Sequence, residues 1–129
     1  MKDVLWVSLG AAFGANLRYG ITRLIGHLVP FPFPAGTLLI NITGSFMLGL
    51  FFEWARGRFG ADQTWRLIFA VGFCGGYTTF SSFAWESIDL WRMGRPGLFA
   101  LNVLGSNILA LLAVLAGITL AHAISGQRP

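Results

Sequence analysis

Residues 67–91 read LIFAVGFCGGYTTFSSFAWESIDLW, a long apolar stretch with small and polar residues at its centre. A helix needs about 20 mostly apolar residues to cross the hydrocarbon of a bilayer, and the stretch is long enough. Paired glycines and paired threonines at its centre, GGYTT at 75–79, favour an interruption of the helix. Non-helical backbone at that depth persists only where it is buried or lines a cavity. We therefore predict a broken transmembrane helix whose freed carbonyl groups can bind a small cation.

Three further apolar stretches lie at 4–25, 36–54 and 98–121, separated by polar or helix-breaking residues. The chain has 129 residues, of which 55% are hydrophobic and 11% charged, whereas a soluble domain carries about 25% charged residues. We predict an all-α membrane protein with one transmembrane domain, 1–129, and four transmembrane helices per subunit, the third broken near mid-membrane. Lys2 precedes the first stretch, but no soluble domain follows, so we expect this stretch to stay in the membrane.

Several functional classes are disfavoured by the same sequence. The pI near 10.2 is typical of nucleic-acid-binding proteins, but the arginines lie at segment ends and form no stripe. Cys74 is the single cysteine, which excludes a disulfide framework, and His27 and His122 lack further ligands at zinc-binding spacing. No pairing of a nucleophile with a base is evident, so we do not expect an enzyme.

The positive charges that flank the four predicted spans are nearly balanced. With four spans, both termini lie on one side, together with Lys2, Arg56, Arg58, Arg66 and Arg128. The opposite side has Arg23, Arg92 and Arg95, and also Arg18 if it counts. Because the bias in Lys and Arg sets orientation, two interpretations stay open: an ordinary protein with a weak signal, or dual topology, which permits an antiparallel homodimer.

Two pairs of small residues at four-residue spacing favour close helix packing. Gly10 and Gly14 form one pair in the first span, and Gly72 and Gly76 form the other in the third. Such pairs pack helices either within one subunit or across a dimer, and the sequence leaves both open.

Polar residues in the first two spans are functional candidates because they are costly in lipid. Arg18 either extends its side chain to the membrane surface or lines a hydrated vestibule that attracts anions. On the second span, Thr37, Asn41, Gly44 and Ser45 share one helical face. The amide of Asn41 can donate two hydrogen bonds to an anion, or it can bond to a neighbouring helix.

A second polar stripe follows the predicted break. Its members recur at helical spacing and are Thr79, Ser82, Glu86 and Asp89. Phe80 and Phe83 lie beside it, and the positive edges of their rings can face a small anion. Two phenylalanines at this spacing are also common in simple packing. In the fourth span, Asn102, Ser106 and Asn107 supply hydrogen-bonding groups or contacts between helices.

Three motifs together resemble the Fluc (CrcB) fluoride channel family. They are GGYTTFSSF at 75–83, GTLLIN at 36–41 and GANLRY at 14–19, and the similarity covers almost the whole chain in order. The resemblance implies a dual-topology antiparallel homodimer in a bacterial inner membrane, with two pores that conduct fluoride passively out of the cytoplasm. Its partners would be fluoride, a second copy of the chain and the lipid bilayer, and not nucleic acid.

The resemblance also implies roles for individual residues. The pore-lining, fluoride-binding set would be Phe80, Phe83, Asn41, Thr37, Thr79, Ser82, Glu86 and Ser106. Arg18 would be the vestibule arginine, and main-chain carbonyls of Gly75 and Thr78 would hold a structural sodium ion at the dimer centre. Asn102 stands where some relatives have a tyrosine of the polar track, which leaves its role open.

The alternative is a proton-coupled exporter of the small multidrug-resistance type, which also has four helices and dual topology. Such an exporter needs a carboxylate embedded in its first helix, and residues 4–25 contain none. A third possibility is a membrane subunit that transports nothing, but such a subunit has no need of a hydroxyl stripe.

Overall fold

The computed structural model describes residues 1–56 and 63–126, and in these ranges the chain forms helices and no strands. The elements in chain order are α1 (Lys2–Leu28), α2 (Ala35–Ala55), α3 (Gln63–Trp65), a π-helical segment (Arg66–Cys74), α4 (Gly75–Tyr77), α5 (Phe80–Arg92) and α6 (Pro96–Ser125). Arg58 and Arg128, which enter the predicted charge balance, lie outside the described residues.

Within residues 1–56 and 63–126, three helical stretches are long and apolar enough to cross a membrane: Ala35–Ala55, Arg66–Arg92 and Pro96–Ser125. The expectation of a multi-pass helical membrane protein is therefore confirmed. Helix α1 has 27 residues, which is sufficient length, but Arg18 and Arg23 within it lower its apolar character. The prediction of four spans per subunit stays a prediction.

The two glycine pairs bring α1 against the third stretch within one subunit. A Cβ atom on Gly72 would lie 2.7 Å from the Val7 carbonyl oxygen, and one on Gly76 would lie 2.6 Å from the Ala11 carbonyl oxygen. These distances are too short for any side chain, so glycine is required for the backbones to approach so closely. The pairs thus serve packing inside the subunit, which was one of the two interpretations left open.

Helix α6 packs along α2 on the other side of the bundle. Near their carboxyl ends, the Glu53 carboxylate contacts His122 Nε2 at 2.9 Å and Arg56 Nη1 at 3.2 Å. Pro96 begins α6, and the left-handed Gly126 (φ 66°) follows its last residue. The helix therefore extends beyond the predicted span 98–121 at both ends. This arrangement leaves the polar faces of α2, α5 and α6 turned towards one another.

At the predicted interruption, Thr78 and Thr79 are extended rather than helical. Thr78 has ψ 161°, and Thr79 has φ −153° and ψ 121°. Thr79 is the N-cap of α5, because its Oγ1 accepts a hydrogen bond from the Ser82 amide at 3.2 Å. The π-helical segment before this point was not predicted; such wide turns are frequent near functional sites. The interruption positions the site described next.

Candidate functional site

Asn41 pairs with the backbone of Thr79 through two hydrogen bonds. Its Nδ2 donates to the Thr79 carbonyl oxygen at 3.0 Å, and the Thr79 amide donates to Asn41 Oδ1 at 2.9 Å. In a continuous helix the Thr79 amide would bond to the Gly75 carbonyl, so the pairing with Asn41 frees that carbonyl. Asn41 itself retains one N–H for a ligand, and not the two available to an isolated amide.

Arg18 reaches the same interruption from α1. Its Nη1 donates to the Thr78 carbonyl oxygen at 3.3 Å, and its side chain is half-buried. In a continuous helix this carbonyl would accept from the Ser82 amide, which is engaged by the Thr79 hydroxyl instead. A cation suits this place, because the carboxyl end of a helical segment carries partial negative charge.

A cleft of about 410 Å³ brings together most of the residues expected to line a path. Of the predicted pore residues its walls include Asn41, Thr79, Phe80, Phe83 and Ser106. Gly75 and Thr78, the predicted sodium ligands, also line it. The cleft therefore combines aromatic rings, amide and hydroxyl groups, and main-chain carbonyls from three helical stretches.

The two phenylalanines differ in exposure although they are neighbours. Phe83 is 8% exposed, whereas Phe80 is 75% exposed, and their ring centroids lie 5.5 Å apart. One ring is therefore fixed in the subunit wall while the other projects from it. A projecting ring of this size at membrane depth is covered either by lipid or by another protein surface.

Thr37 and Glu86 lie together, but in a different cavity. Thr37 Oγ1 donates to Glu86 Oε1 at 2.8 Å, and both line a space of about 220 Å³ with residues from the end of α1 and the following loop. The other carboxylate oxygen, Oε2, is buried and has no hydrogen-bond partner in the described part of the chain. Ser82 lines neither cavity but bonds to Thr79 at 3.1 Å.

A buried hydrogen-bonded chain links α6 to α5 behind the cleft. Ser106 Oγ donates to Asn102 Oδ1 at 3.2 Å, Asn102 Nδ2 donates to Ser87 Oγ at 2.9 Å, and Ser87 Oγ donates to the Phe83 carbonyl at 2.7 Å. Asn102 is 1% exposed. Asn102, whose role the sequence left open, therefore connects the Ser106 wall to the backbone of Phe83.

Residues outside the predicted pore set also line the cleft. Ser45 lies one turn after Asn41 on α2, and Asn107 follows Ser106 on α6. Ser45 was indicated by its spacing in the sequence, since it shares the helical face of Asn41. Ser87 carried no such signal, because a single serine in an apolar helix usually bonds to its own backbone.

The main-chain carbonyl oxygens at the interruption are suitable ligands for a small hard cation. Gly75 is exposed on the subunit surface, nothing lies within 4 Å of where its Cβ would be, and its carbonyl is the one freed by the Asn41 pairing. The Thr78 carbonyl has a second lone pair besides the one that meets Arg18. Carbonyl oxygens are suitable ligands for hard cations.

Comparison with known proteins places the chain in a family. The model of the family described as CrcB-like protein, Camphor Resistance (CrcB), matches residues 5–118. This chain belongs to the CrcB-like family. The resemblance inferred from the three motifs is thus confirmed over nearly the full length of the chain.

Individual relatives carry a functional name. A protein of Koribacter versatilis named fluoride-specific ion channel FluC is 52% identical over 124 residues, which cover 96% of this chain and 98% of the relative. A protein of the same name from Methylocella silvestris is 39% identical, over 98% of this chain and 98% of the relative. Another, from Bacteroides fragilis, is 42% identical, over 91% of this chain and 94% of the relative. The similarity therefore includes every element that lines the cleft.

Proposed function

We propose that this chain is a fluoride-specific ion channel that lets fluoride leave the cytoplasm passively and so relieves its toxicity. The observation that carries the proposal is the cleft, in which Asn41, Phe80 and Phe83 line one space beside an interrupted helix. The names of relatives that match over nearly the whole chain support the same function. They also support a channel rather than an enzyme.

The cleft offers fluoride several weak interactions and no strong one. Asn41 has one N–H left for the anion, and the rings of Phe80 and Phe83 can present their positive edges. These groups replace part of the hydration shell, and because each binds weakly, the ion can also leave. A carboxylate in this place would repel fluoride, and Glu86 lines the neighbouring cavity instead.

The functional unit in this proposal is an antiparallel dual-topology homodimer of subunits with four membrane-crossing helices, the third broken, and with two pores. The nearly balanced flanking charges of the sequence support dual topology. The projecting ring of Phe80 and the exposed Gly75 support a protein partner at this face, since both lie at the polar interruption. The bacterial inner membrane is the proposed location.

A structural sodium ion belongs to the same proposal. The carbonyl oxygens of Gly75 and Thr78 would hold it, together with the same atoms of the second subunit. When bound, the ion would supply positive charge to the Gly75 carbonyl and to the remaining lone pair of the Thr78 carbonyl. The residues of the chain keep these carbonyls available, because Asn41 and the Thr79 hydroxyl take the amides that would otherwise bond to them.

Arg18 is the proposed cation of the entrance. Its guanidinium has further N–H groups besides the one that meets Thr78, and these can attract anions from solution. The proton-coupled exporter is less well supported, because the single acidic residue of α1, Asp3, lies in its first turn and not in the membrane.

Fluoride efflux from proteoliposomes, followed with a fluoride electrode, tests this function. Vesicles loaded with potassium fluoride should release it when valinomycin balances the charge, and should retain it without valinomycin. Chloride-loaded vesicles form the matched control and should retain chloride. Release that depends on an imposed proton gradient and not on valinomycin would instead indicate the coupled exporter, and no release would contradict both.

A further inference from the structure

Most hydroxyl protons at the cleft are already donated to other protein atoms. Thr78 Oγ1 donates to the Cys74 carbonyl at 2.9 Å, and Thr79 Oγ1 donates to Ser82 Oγ at 3.1 Å. A hydroxyl has a single proton, so neither threonine can donate to an anion without losing a bond to the protein. The polar residues that line the cleft are therefore unequal as anion ligands.

The Ser106 hydroxyl also donates its one proton to another protein atom, and its buried neighbours determine the direction of this hydrogen bond. Ser87 gives its one proton to the Phe83 carbonyl, so at Ser87 Oγ the Asn102 amide must act as the donor. The nitrogen of Asn102 therefore faces Ser87, and its oxygen faces Ser106. Ser106 must donate to that oxygen, which leaves lone pairs of Ser106 Oγ for the cleft. Lone pairs repel fluoride.

Among the described residues that line the cleft, three side chains retain an N–H or O–H proton that no protein atom accepts. Asn41 and Asn107 each use one of two amide protons, on the Thr79 and Val103 carbonyls at 3.0 and 2.6 Å. Ser45 lines the cleft, and its hydroxyl makes no hydrogen bond to any part of the chain that the structure describes. The hydroxyls of Ser87 and Thr119, also on helices, instead donate to carbonyls four residues earlier at 2.7 and 2.8 Å.

We propose that Ser45 and Asn107 are fluoride ligands of this cleft together with Asn41, and that Asn102 is a positioning residue that turns the Ser106 oxygen lone pairs towards the ion path. The anion is held by donors on α2 and by one amide on α6. Ser106 faces it as an acceptor and keeps the site weak. This inference rests on the proposed fluoride channel function, which it deepens by naming the ligands.

Two conservative substitutions test the new ligands, each with a matched control. Ser45→Ala and Asn107→Leu should each reduce fluoride efflux about tenfold, because each removes a hydrogen bond to a charged group. Ser8→Ala and Asn16→Leu are the controls, since both residues are exposed on α1. Asn16 matches Asn107 because each donates to the carbonyl four residues earlier, of Ala12 and Val103 respectively. These controls should conduct as the wild type does. Gel filtration checks that every variant keeps the wild-type assembly.

The decisive comparison is between two serines of one cleft. Ser106→Ala should cost less flux than Ser45→Ala, because only Ser45 donates to the ion. Ser45→Cys, with a weak S–H donor, should give an intermediate rate and shows that donation rather than packing matters. A loss in Ser106→Ala equal to or larger than that in Ser45→Ala overturns the inference. Wild-type protein that releases no fluoride would instead overturn the proposed function itself.

Discussion

Replacement of Asn41 by aspartate tests both roles of this residue at once. The carboxylate can still accept the Thr79 amide at the 2.9 Å position, but it cannot donate to the Thr79 carbonyl at the 3.0 Å position. One hydrogen bond is lost, which costs about 0.6 kcal/mol in a membrane helix bundle, and the carboxylate oxygen that replaces Nδ2 repels the Thr79 carbonyl oxygen at this one contact. The subunit therefore keeps its fold while the chemistry of the cleft changes.

The effect on the ion is much larger than the effect on the fold. Two like charges about 4 Å apart repel by about 4 kcal/mol at an effective dielectric constant of about 20. Since every 1.4 kcal/mol is about tenfold, fluoride flux through Asn41→Asp should fall by about three orders of magnitude. The free energy of unfolding should change little in comparison.

Efflux from proteoliposomes measures the flux, and gel filtration measures the assembly. Asn16→Asp is the matched control, because it introduces the same charge on the exposed face of α1. The control should retain flux. An Asn41→Asp channel that conducts within a fewfold of the wild type would show that fluoride does not approach Asn41, and the reasoning about the cleft would then be wrong.

Three further predictions concern the entrance, the interruption and the orientation. Arg18→Gln should lower fluoride flux more in low salt than in high salt, because the Debye length shortens from about 30 Å at 0.01 M to about 10 Å at 0.1 M. An equal loss at both salt concentrations would exclude attraction of anions from solution by Arg18. Thr78→Val keeps the main-chain carbonyl and should leave the assembly on gel filtration intact. Thr78→Pro removes the amide that bonds to the Cys74 carbonyl at 3.0 Å and should disrupt the assembly; equal behaviour of the two variants would contradict a main-chain site. Arginines added on one side of the membrane should fix one orientation and abolish activity, and co-expression with an oppositely biased copy should restore it; full activity from a single orientation would refute the antiparallel dimer.

The helices could be predicted from the sequence because each depends on local composition. Apolar runs at 36–54 and 98–121 correspond to Ala35–Ala55 and Pro96–Ser125, and the prolines and glycines between runs mark the ends. Thr78 and Thr79 are extended within the stretch where the paired glycines and threonines favour an interruption, and a transmembrane helix broken there stays a prediction. The π-helical segment Arg66–Cys74 could not be predicted, since it depends on how α1 packs against the glycines of the third stretch.

The candidate site was predictable in its members but not in its bonds. Asn41 and Thr79 are 38 residues apart, and only the folded chain shows that the amide of one replaces the helical bond of the other. Thr37, Glu86 and Asn41 were expected in one pore-lining set, and the structure places Thr37 and Glu86 in a second cavity. A helical period indicates which residues share a face, but it does not indicate where a cleft ends.

Directions of hydrogen bonds were beyond the sequence for the same reason. Whether Ser106 donates or accepts depends on Asn102, Ser87 and a carbonyl on another helix. Spacing alone made Ser106 and Ser45 equivalent hydroxyls in apolar helices. The structure distinguishes them because one proton is used and the other is not, and this difference is what the serine substitutions measure.

In the proposed channel, fluoride passes beside the rings of Phe80 and Phe83 in the cleft of Asn41. The most direct test of this path is fluoride efflux from proteoliposomes containing Phe80→Ile, Phe83→Ile and the double variant, each checked for wild-type elution on gel filtration. Isoleucine keeps much of the bulk and removes the positive ring edge. We expect a sharp loss of flux in each single variant with the assembly intact. Wild-type efflux from both single variants and from the double variant would show that the rings only pack, and would contradict the claim.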